Sequence, residues 1–357
     1  MTAADAPSTG SPAAADPGRD NVLVDADVLT EWVGDRLPGV GQSLVVERMG
    51  QATGIGNALF FVRRAGHEWV LRRPSAVVNA PGASDMEREW RILSALEGTA
   101  VPHPRPLLLC TDPAPLGAPF LVMDKVDGLT PTGALPPPYD TAPARRDLAF
   151  AMVDAVAALG DVDWRAGGLE GLGRPEGFLE RQVPRWLAQL ERYRVRNIPE
   201  LDFVADWLER NRPSMGRPGI IHGDYSPFNV MASYQETTRL AAVIDWDTGT
   251  IGDPLLDLGH LLARWTDPGE EYALTVDIEQ RDGLPTRAEL AARYAERTGR
   301  DLGALSYFQA LALFKLAIIL EGGYARSVRH GTPSRVPASM IDRLVRFAAI
   351  FARGERI

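Results

Sequence analysis

The chain has 357 residues, 45% hydrophobic and 24% charged, a composition that excludes fibrous and wholly disordered classes and a length that accommodates about two domain-sized cores. Its 38 Lys and Arg against 47 Asp and Glu leave a formal net charge of −9, which opposes nonspecific attraction to nucleic acid and to anionic membrane, so neither is expected as a partner. The single cysteine, Cys110, can close no intrachain disulfide, and the five histidines show no zinc-ligand spacing, so a reducing, cytoplasmic setting is expected with Cys110 as a buried structural thiol.

Residues 1–20 are mostly Ala, Pro, Ser, Gly and Asp without the apolar run of a secretory signal, and are expected to form a flexible tail. No later window reaches about 18 uninterrupted apolar residues, so no membrane span is expected. Val28, Leu29, Trp32, Val33 and Leu37 recur at helical spacing over residues 24–39, which Pro38-Gly39 ends. Residues 43–48, 58–64 and 68–73 alternate or run apolar between Gly-containing turns, as in an antiparallel meander. A helix over 85–96 and strands over 106–110 and 119–126 follow. The Pro- and Gly-rich stretch 128–139 is the expected connection. Beyond it, helical recurrence marks 144–159, 177–193, 202–210, 255–265, 286–297, 305–327 and 337–353. The expected class is α+β: the tail, a small antiparallel β-sheet lobe over 21–127, and a larger, mainly helical lobe over 128–357.

Between the two groups of helices lie Ile221-His222-Gly223-Asp224-Tyr225-Ser226-Pro227-Phe228-Asn229 and Val243-Ile244-Asp245-Trp246-Asp247. A transferring phosphoryl group carries several negative charges, so its catalysis rests on positioning and on a divalent cation. Hard cations take oxygen ligands. An Asp opening a short loop can accept the proton of an attacking hydroxyl, an amide five residues later can coordinate a metal, and a carboxylate at the end of a neighbouring strand can complete the set. Asp224 is thus the expected catalytic base, and Asn229 and Asp245, the latter delivered by the apolar run 241–244, are the expected magnesium ligands. Singly, Asp224 or Asn229 reads better as a turn residue capping nearby amides. Their conjunction with Asp245 favours the catalytic reading. Asp247 would face the same side as Asp245 if the segment stays extended, as an auxiliary carboxylate or an exposed loop residue. Asp257 reads as an anchor for the loop backbone, and Asp253, before Pro254, as a helix-entry residue.

These blocks, with Ile251-Gly252-Asp253-Pro254-Leu255-Leu256-Asp257-Leu258 after them, resemble the aminoglycoside phosphotransferase family, which is similar in fold to the protein kinases. Trp69-Val70-Leu71-Arg72-Arg73-Pro74, Arg88-Glu89-Trp90, Gly117-Ala118-Pro119-Phe120 and Gly173-Arg174-Pro175-Glu176-Gly177-Phe178-Leu179-Glu180-Arg181-Gln182 look most like the branch related to the kinase-like domain of acyl-CoA dehydrogenase family members ten and eleven. The resemblance implies a bilobal protein-kinase-like fold with ATP and magnesium as cofactors. It implies that Arg72, in place of the usual strand lysine, pairs with the nucleotide phosphates with Glu89 as its partner. Arg and Lys are not freely exchanged at such a site, although the guanidinium fork binds phosphate bidentately. Strand alternation lets only one of Arg72 and Arg73 face the nucleotide, and motif position favours Arg72. Gly54 and Gly56 fall in the loop expected to cover the phosphates, and backbone groups around Asp124 and Val126 are expected against the adenine. His222 is expected to support the loop by packing.

The implied function is ATP-dependent transfer of the γ-phosphate to a hydroxyl of a small molecule. Arg181, Arg185 and Lys315 favour a hydroxyacyl-type or other anionic metabolite, with solvated arginines as the plainer reading. An aminoglycoside or other antibiotic kinase is the alternative acceptor reading. A nucleotide-binding pseudokinase is the alternative from another class, disfavoured because a pure binder has no need of Asp224.

Overall fold

The computed structural model describes residues 23–50, 57–75, 85–267, 270 and 278–355. They group into two compact units, one running to Glu87 and including Pro106–Lys125, the other comprising Arg88–Arg105 and the chain from Val126 onward. Gly54 and Gly56 lie outside the described residues.

The first unit is a five-stranded antiparallel sheet. Its strands are β1 (Val45–Arg48), β2 (Asn57–Arg64), β3 (His67–Pro74), β4 (Pro106–Cys110) and β5 (Phe120–Asp124), in the order β1-β2-β3-β5-β4. Strict alternation in β2 buries Ala58, Phe60 and Val62 on one face. They join Trp69 and Leu71 of β3 and Phe120 and Val122 of β5 under Leu29 and Val33 of α1 (Ala26–Val33). Trp32 meets Phe120 edge-on at 4.6 Å. Asp25 caps α1 by accepting the amides of Asp27 and Val28. The helix is shorter than the periodicity over 24–39 suggests, because Gly34 turns left-handed (φ 55°) and Arg64 of β2 satisfies the freed carbonyls of Gly34, Leu37 and Pro38.

The alternation of β3 also separates its two arginines. Arg73 shares the α1 face with Trp69 and Leu71, and its guanidinium donates to the carbonyls of Leu23 and, at 2.8 Å, Leu116. Arg72 takes the other face and is buried, 7% exposed.

In the second unit, α2 (Met86–Leu96) is held by two of its arginines: Arg88 donates to Leu172 O and Gly249 O (3.1 and 2.9 Å), and Arg91 to Gly168 O and Glu170 O. Residues Arg88–Arg105 therefore group with the helices and not with the sheet that flanks them in sequence. The remaining helices are α3 (Ala142–Asp161), α4 (Gln182–Glu191), α5 (Leu201–Arg210), α6 (Leu255–Arg264), α7 (Arg287–Thr298), α8 (Leu305–His330) and α9 (Ala338–Arg353). Every residue of α6 is buried. It packs along α8, where a Cβ on Gly259 would stand 2.7 Å from the Phe308 backbone, so only glycine permits that approach. By length and composition α8 is apolar enough to cross a bilayer, but most of its apolar window is buried inside the unit. Two short antiparallel pairs complete the unit: β6 (Gly219–Ile221) with β9 (Thr250–Gly252), and β7 (Val230–Ala232) with β8 (Leu240–Val243).

One expected helix, over 177–193, begins late. Gly177 is left-handed (φ 65°), and residues 175–181 form hydrogen-bonded turns before α4 starts at Gln182.

Candidate active site

The two strand pairs of the second unit gather the polar blocks. β6 ends at Ile221 and releases the loop 222–226, which closes in a short 3₁₀ turn, Pro227–Asn229, before β7. β8 runs antiparallel to β7 with Val230 opposite Val243. One further hydrogen bond, Ile244 N to Asn229 O at 2.9 Å, extends the pairing to the start of the hairpin. Asn229 and Asp245, sixteen positions apart, thereby become neighbours across one ladder end.

Within the loop, Asn229 donates its Nδ2 to the backbone carbonyl of Asp224 (2.9 Å) and to its Oδ2 (3.2 Å). This closes the five-residue turn and leaves the amide oxygen Oδ1 as the Lewis-basic end of Asn229. The other carboxylate oxygen of Asp224, Oδ1, accepts from Arg264 Nη2 of α6 at 3.1 Å. His222, Tyr225 and Ser226 around it are buried, while the Asp224 side chain is 43% exposed. The loop thus holds its backbone inward and offers one carboxylate outward.

Three buried groups from the helices fix that backbone. Asp257 of α6 accepts the amides of His222 (2.6 Å) and Gly223 (2.8 Å), one on each oxygen. Burial pushes its carboxyl up, opposed by His222, the two amides and Lys315. Lys315 of α8 donates to Gly223 O and lies 5.6 Å over the Trp186 ring. Its ammonium is drawn down to about 8, chiefly by desolvation, against the opposing pull of Asp224 and Asp257. Arg264 also donates to Tyr225 O at 3.3 Å, and burial lowers its guanidinium while Asp224 raises it.

His222 links the loop to the end of β8. Its Nδ1 accepts the Asp224 amide at 3.3 Å, which assigns the ring proton to Nε2, where it is donated to Ile244 O at 2.9 Å. The ring packs on Trp246 (centroids 4.8 Å), itself fully buried and bonded through Nε1 to Val243 O. His222 is a brace, as its sequence context suggests. Gly223 must be glycine: its φ is +81°, and a Cβ there would stand 2.8 Å from Thr248 O.

Asp245 sits past the end of β8 in the left-handed region (φ 67°, ψ 66°) and is exposed. A non-glycine residue in that region is uncommon, although Asp tolerates it better than most. The chain then turns into a 3₁₀ segment, Trp246–Thr248. The segment does not stay extended, so the two-residue spacing does not put Asp247 on the same side as Asp245. Asp253 behaves as a helix-entry residue, accepting the amides of Leu255 and Gly216.

The nucleotide-binding candidates distribute between the units. Arg72 and Asp124 belong to the first, with Asp124 opposite Trp69 in the β3–β5 ladder. Glu89, buried in α2, and Val126 belong to the second. Of the three cations taken from the sequence as an acceptor-facing group, Lys315 is instead buried against the loop, and Arg181 is turned onto the carbonyls of Arg174 and Glu176. Arg185 alone remains exposed. Sequence reasoning missed Arg264, which lies 40 residues from Asp224, and no local signal would have revealed it.

A small antiparallel sheet unit, a mainly helical unit, and an Asp–Asn loop joined to a strand-end Asp define a kinase-like phosphotransferase. In agreement, the sequence profile of the phosphotransferase enzyme family matches residues 51–307, and the chain belongs to that family. Acyl-CoA dehydrogenase family member 11 of Rattus norvegicus is 32% identical over 307 residues, which are 84% of this chain and 39% of that protein. The chain spans well under half the length of this relative. A crystal structure from Ralstonia eutropha JMP134, provisionally described as an aminoglycoside phosphotransferase, superposes with a TM-score of 0.76 at 30% identity, covering 93% of this chain and 99% of the other. The GDP complex of aminoglycoside 2'-phosphotransferase-IIIa shares the fold at a TM-score of 0.58 and 18% identity, covering 93% and 99%.

Proposed function

We propose that this phosphotransferase moves the γ-phosphoryl group of ATP to a hydroxyl of a small, anionic acceptor, with hydroxyacyl-type metabolites as the leading class. The observation that carries the reading is the state of Asp224: its backbone is clamped by buried partners, one oxygen is held by Arg264 and the other by Asn229, and the side chain stays open to solvent. A carboxylate so held is preorganised to orient an acceptor hydroxyl and take its proton. The acceptor oxygen forms the new bond to the γ-phosphorus, the bond from that phosphorus to the β–γ bridging oxygen breaks, ADP departs, and the hydroxyl proton passes to Asp224.

Asn229 Oδ1 and the Asp245 carboxylate are the residues that would hold magnesium, and oxygen donors of this kind suit it. Magnesium supplies charge neutralisation at the phosphate oxygens. Among the described residues no group of three or more His, Cys, Asp or Glu stands ready as a metal cage, and magnesium ordinarily draws most of its ligands from nucleotide phosphates and water. Arg72 and Glu89 are assigned to the nucleotide phosphates, and the backbone around Asp124 and Val126 to the adenine. The assignment of Gly54 and Gly56 to the phosphate-covering loop rests on sequence.

The test is phosphoryl transfer from labelled ATP across a panel of hydroxylated metabolites, with Asp224→Asn as the control. General-base removal is expected to lower kcat by roughly 10²–10⁴-fold while magnesium-dependent nucleotide binding persists. Transfer by Asp224→Asn at the wild-type rate would remove the assignment.

A further inference from the structure

A second site opens on the same unit, over the segment that joins the turns after Gly171 to α4. It is a cavity of about 650 Å³ whose lining includes Arg174, Glu180, Arg181, Arg185 and Thr250. Three arginines against one glutamate reverse, locally, the sign of a chain whose net charge is −9. The three do different things. Arg181 is structural: it donates to the carbonyls of Arg174 and Glu176, closing the turn at Gly177, where a Cβ would stand 3.0 Å from its Nη1. Arg174, carried by that turn, and Arg185, one helical turn beyond Arg181, are both exposed. Among the described residues neither is engaged in an ion pair.

The cavity is fixed relative to Asp224 by two independent routes. Its wall residue Thr250 pairs with Ile221 in the β6–β9 ladder, three residues before Asp224. The 173–178 segment is seated directly on β9: a Cβ on Gly173 would stand 2.4 Å from Thr250 Oγ1, and one on Gly252 2.7 Å from the Phe178 ring. On the other side, the Arg185 guanidinium lies 5.4 Å over Trp186, whose ring also carries the Lys315 ammonium, and Lys315 donates to Gly223 O beside Asp224. Gln182, buried, locks this corner by donating to Phe178 O and accepting from Trp186 Nε1.

From this arrangement we infer that Arg174 and Arg185 form an anion-reading subsite that binds a carboxylate or phosphate carried by the acceptor molecule while its hydroxyl is presented to Asp224. Guanidinium forks match both oxyanions, and two of them on a preorganised turn and helix give orientation as well as attraction. The inference rests on the phosphotransfer reading above and adds to it a specificity determinant.

The test pairs anionic and neutral acceptors of like size: 3-hydroxybutyrate with its methyl ester, and glycerol 3-phosphate with glycerol. The first pair reports a carboxylate and the second a phosphate. Transfer and calorimetric binding are measured, with magnesium and a non-hydrolysable ATP analogue for binding, on wild type, Arg174→Gln/Arg185→Gln and Arg185→Lys. Wild type is expected to prefer the anion of at least one pair by about 10–100-fold in kcat/KM, the range set by one or two charge-assisted hydrogen bonds. The double variant should lose that preference mainly through KM and through weakened calorimetric affinity, with its melting temperature and its handling of the neutral partners preserved. Arg185→Lys should recover part of the affinity. Anions that bind no better than their neutral partners in both pairs, or a preference that the double variant keeps, overturn the subsite. Anions that bind selectively through these arginines with no phosphate transferred to any acceptor overturn the transfer reading and leave the subsite standing.

Discussion

Replacing Asp257 with asparagine exchanges one oxygen for an NH₂ group at little change in volume, yet should unfasten the loop that carries Asp224. Both carboxylate oxygens accept loop amides, from His222 at 2.6 Å and Gly223 at 2.8 Å, in a fully buried position. An asparagine has one acceptor, so one of the two amides must face an NH₂ group. A charge-assisted hydrogen bond of about 1.5–3 kcal/mol is lost, and a buried N–H is left unsatisfied at a cost of about 1–3 kcal/mol. Together these predict a destabilisation of about 2.5–6 kcal/mol, or on the order of 10 °C in Tm for a unit of this size. Urea unfolding followed by circular dichroism reads the first effect. Steady-state transfer reads the second, a fall in kcat of more than tenfold as Asp224 loses its fixed position, with the nucleotide Kd nearly unchanged. An Asp257→Asn protein within about 1 kcal/mol of wild type would refute the claim that this carboxylate clamps the loop.

Lys315 provides a pH signature. Its ordinary pKa of 10.5 is drawn down to about 8 by burial, so between those values the unfolded chain holds a proton that the folded chain lacks, and stability rises with pH across that window. The unfolding free energy of wild type relative to Lys315→Met should therefore improve by about 3 kcal/mol between pH 7.5 and 10.5, and a flat difference would show that the ammonium is not desolvated. Gly223→Ala, where φ is +81° and Thr248 O blocks a Cβ, should cost about 2–4 kcal/mol and most activity. Gly331→Ala, left-handed at φ +64° but in open space, should cost about 1 kcal/mol and leave transfer intact, so equal effects in the two would contradict the steric argument.

The parts of this molecule that are local in sequence were legible in it, and the parts that depend on tertiary approach were not. The strands of the sheet declare themselves through alternation, as in Ala58, Phe60 and Val62 of β2, or through short apolar runs, as in β4 and β5. The Asp224–Asn229 contact follows from a five-residue turn, and Asp257, buried at the entry to a helix, reads as the loop's anchor. The three-residue strands β6, β7 and β9 are too short to carry a period and exist because their partners exist. Apolar spacing over 177–193 continues through a turn that Gly177 and Arg181 close, so the period overstates a helix that starts at Gln182. Arg264 and Lys315 look from sequence like any cations on apolar helices. Only the packing of α6 and α8 against the loop tells what they hold.

The β7–β8 hairpin separates the site from its own connection. Asn229 and Ile244 are joined at one end of the ladder, while Tyr234, Gln235 and Glu236 are exposed at the other. Register is set by Val230 opposite Val243, so the distant tip can vary in length or accept an inserted peptide without shifting the polar residues. A one-residue slip in the paired region would instead turn each of its side chains to the opposite face. The hairpin thus has one end open to sequence drift and labelling, and another where a single deletion would disarm the molecule.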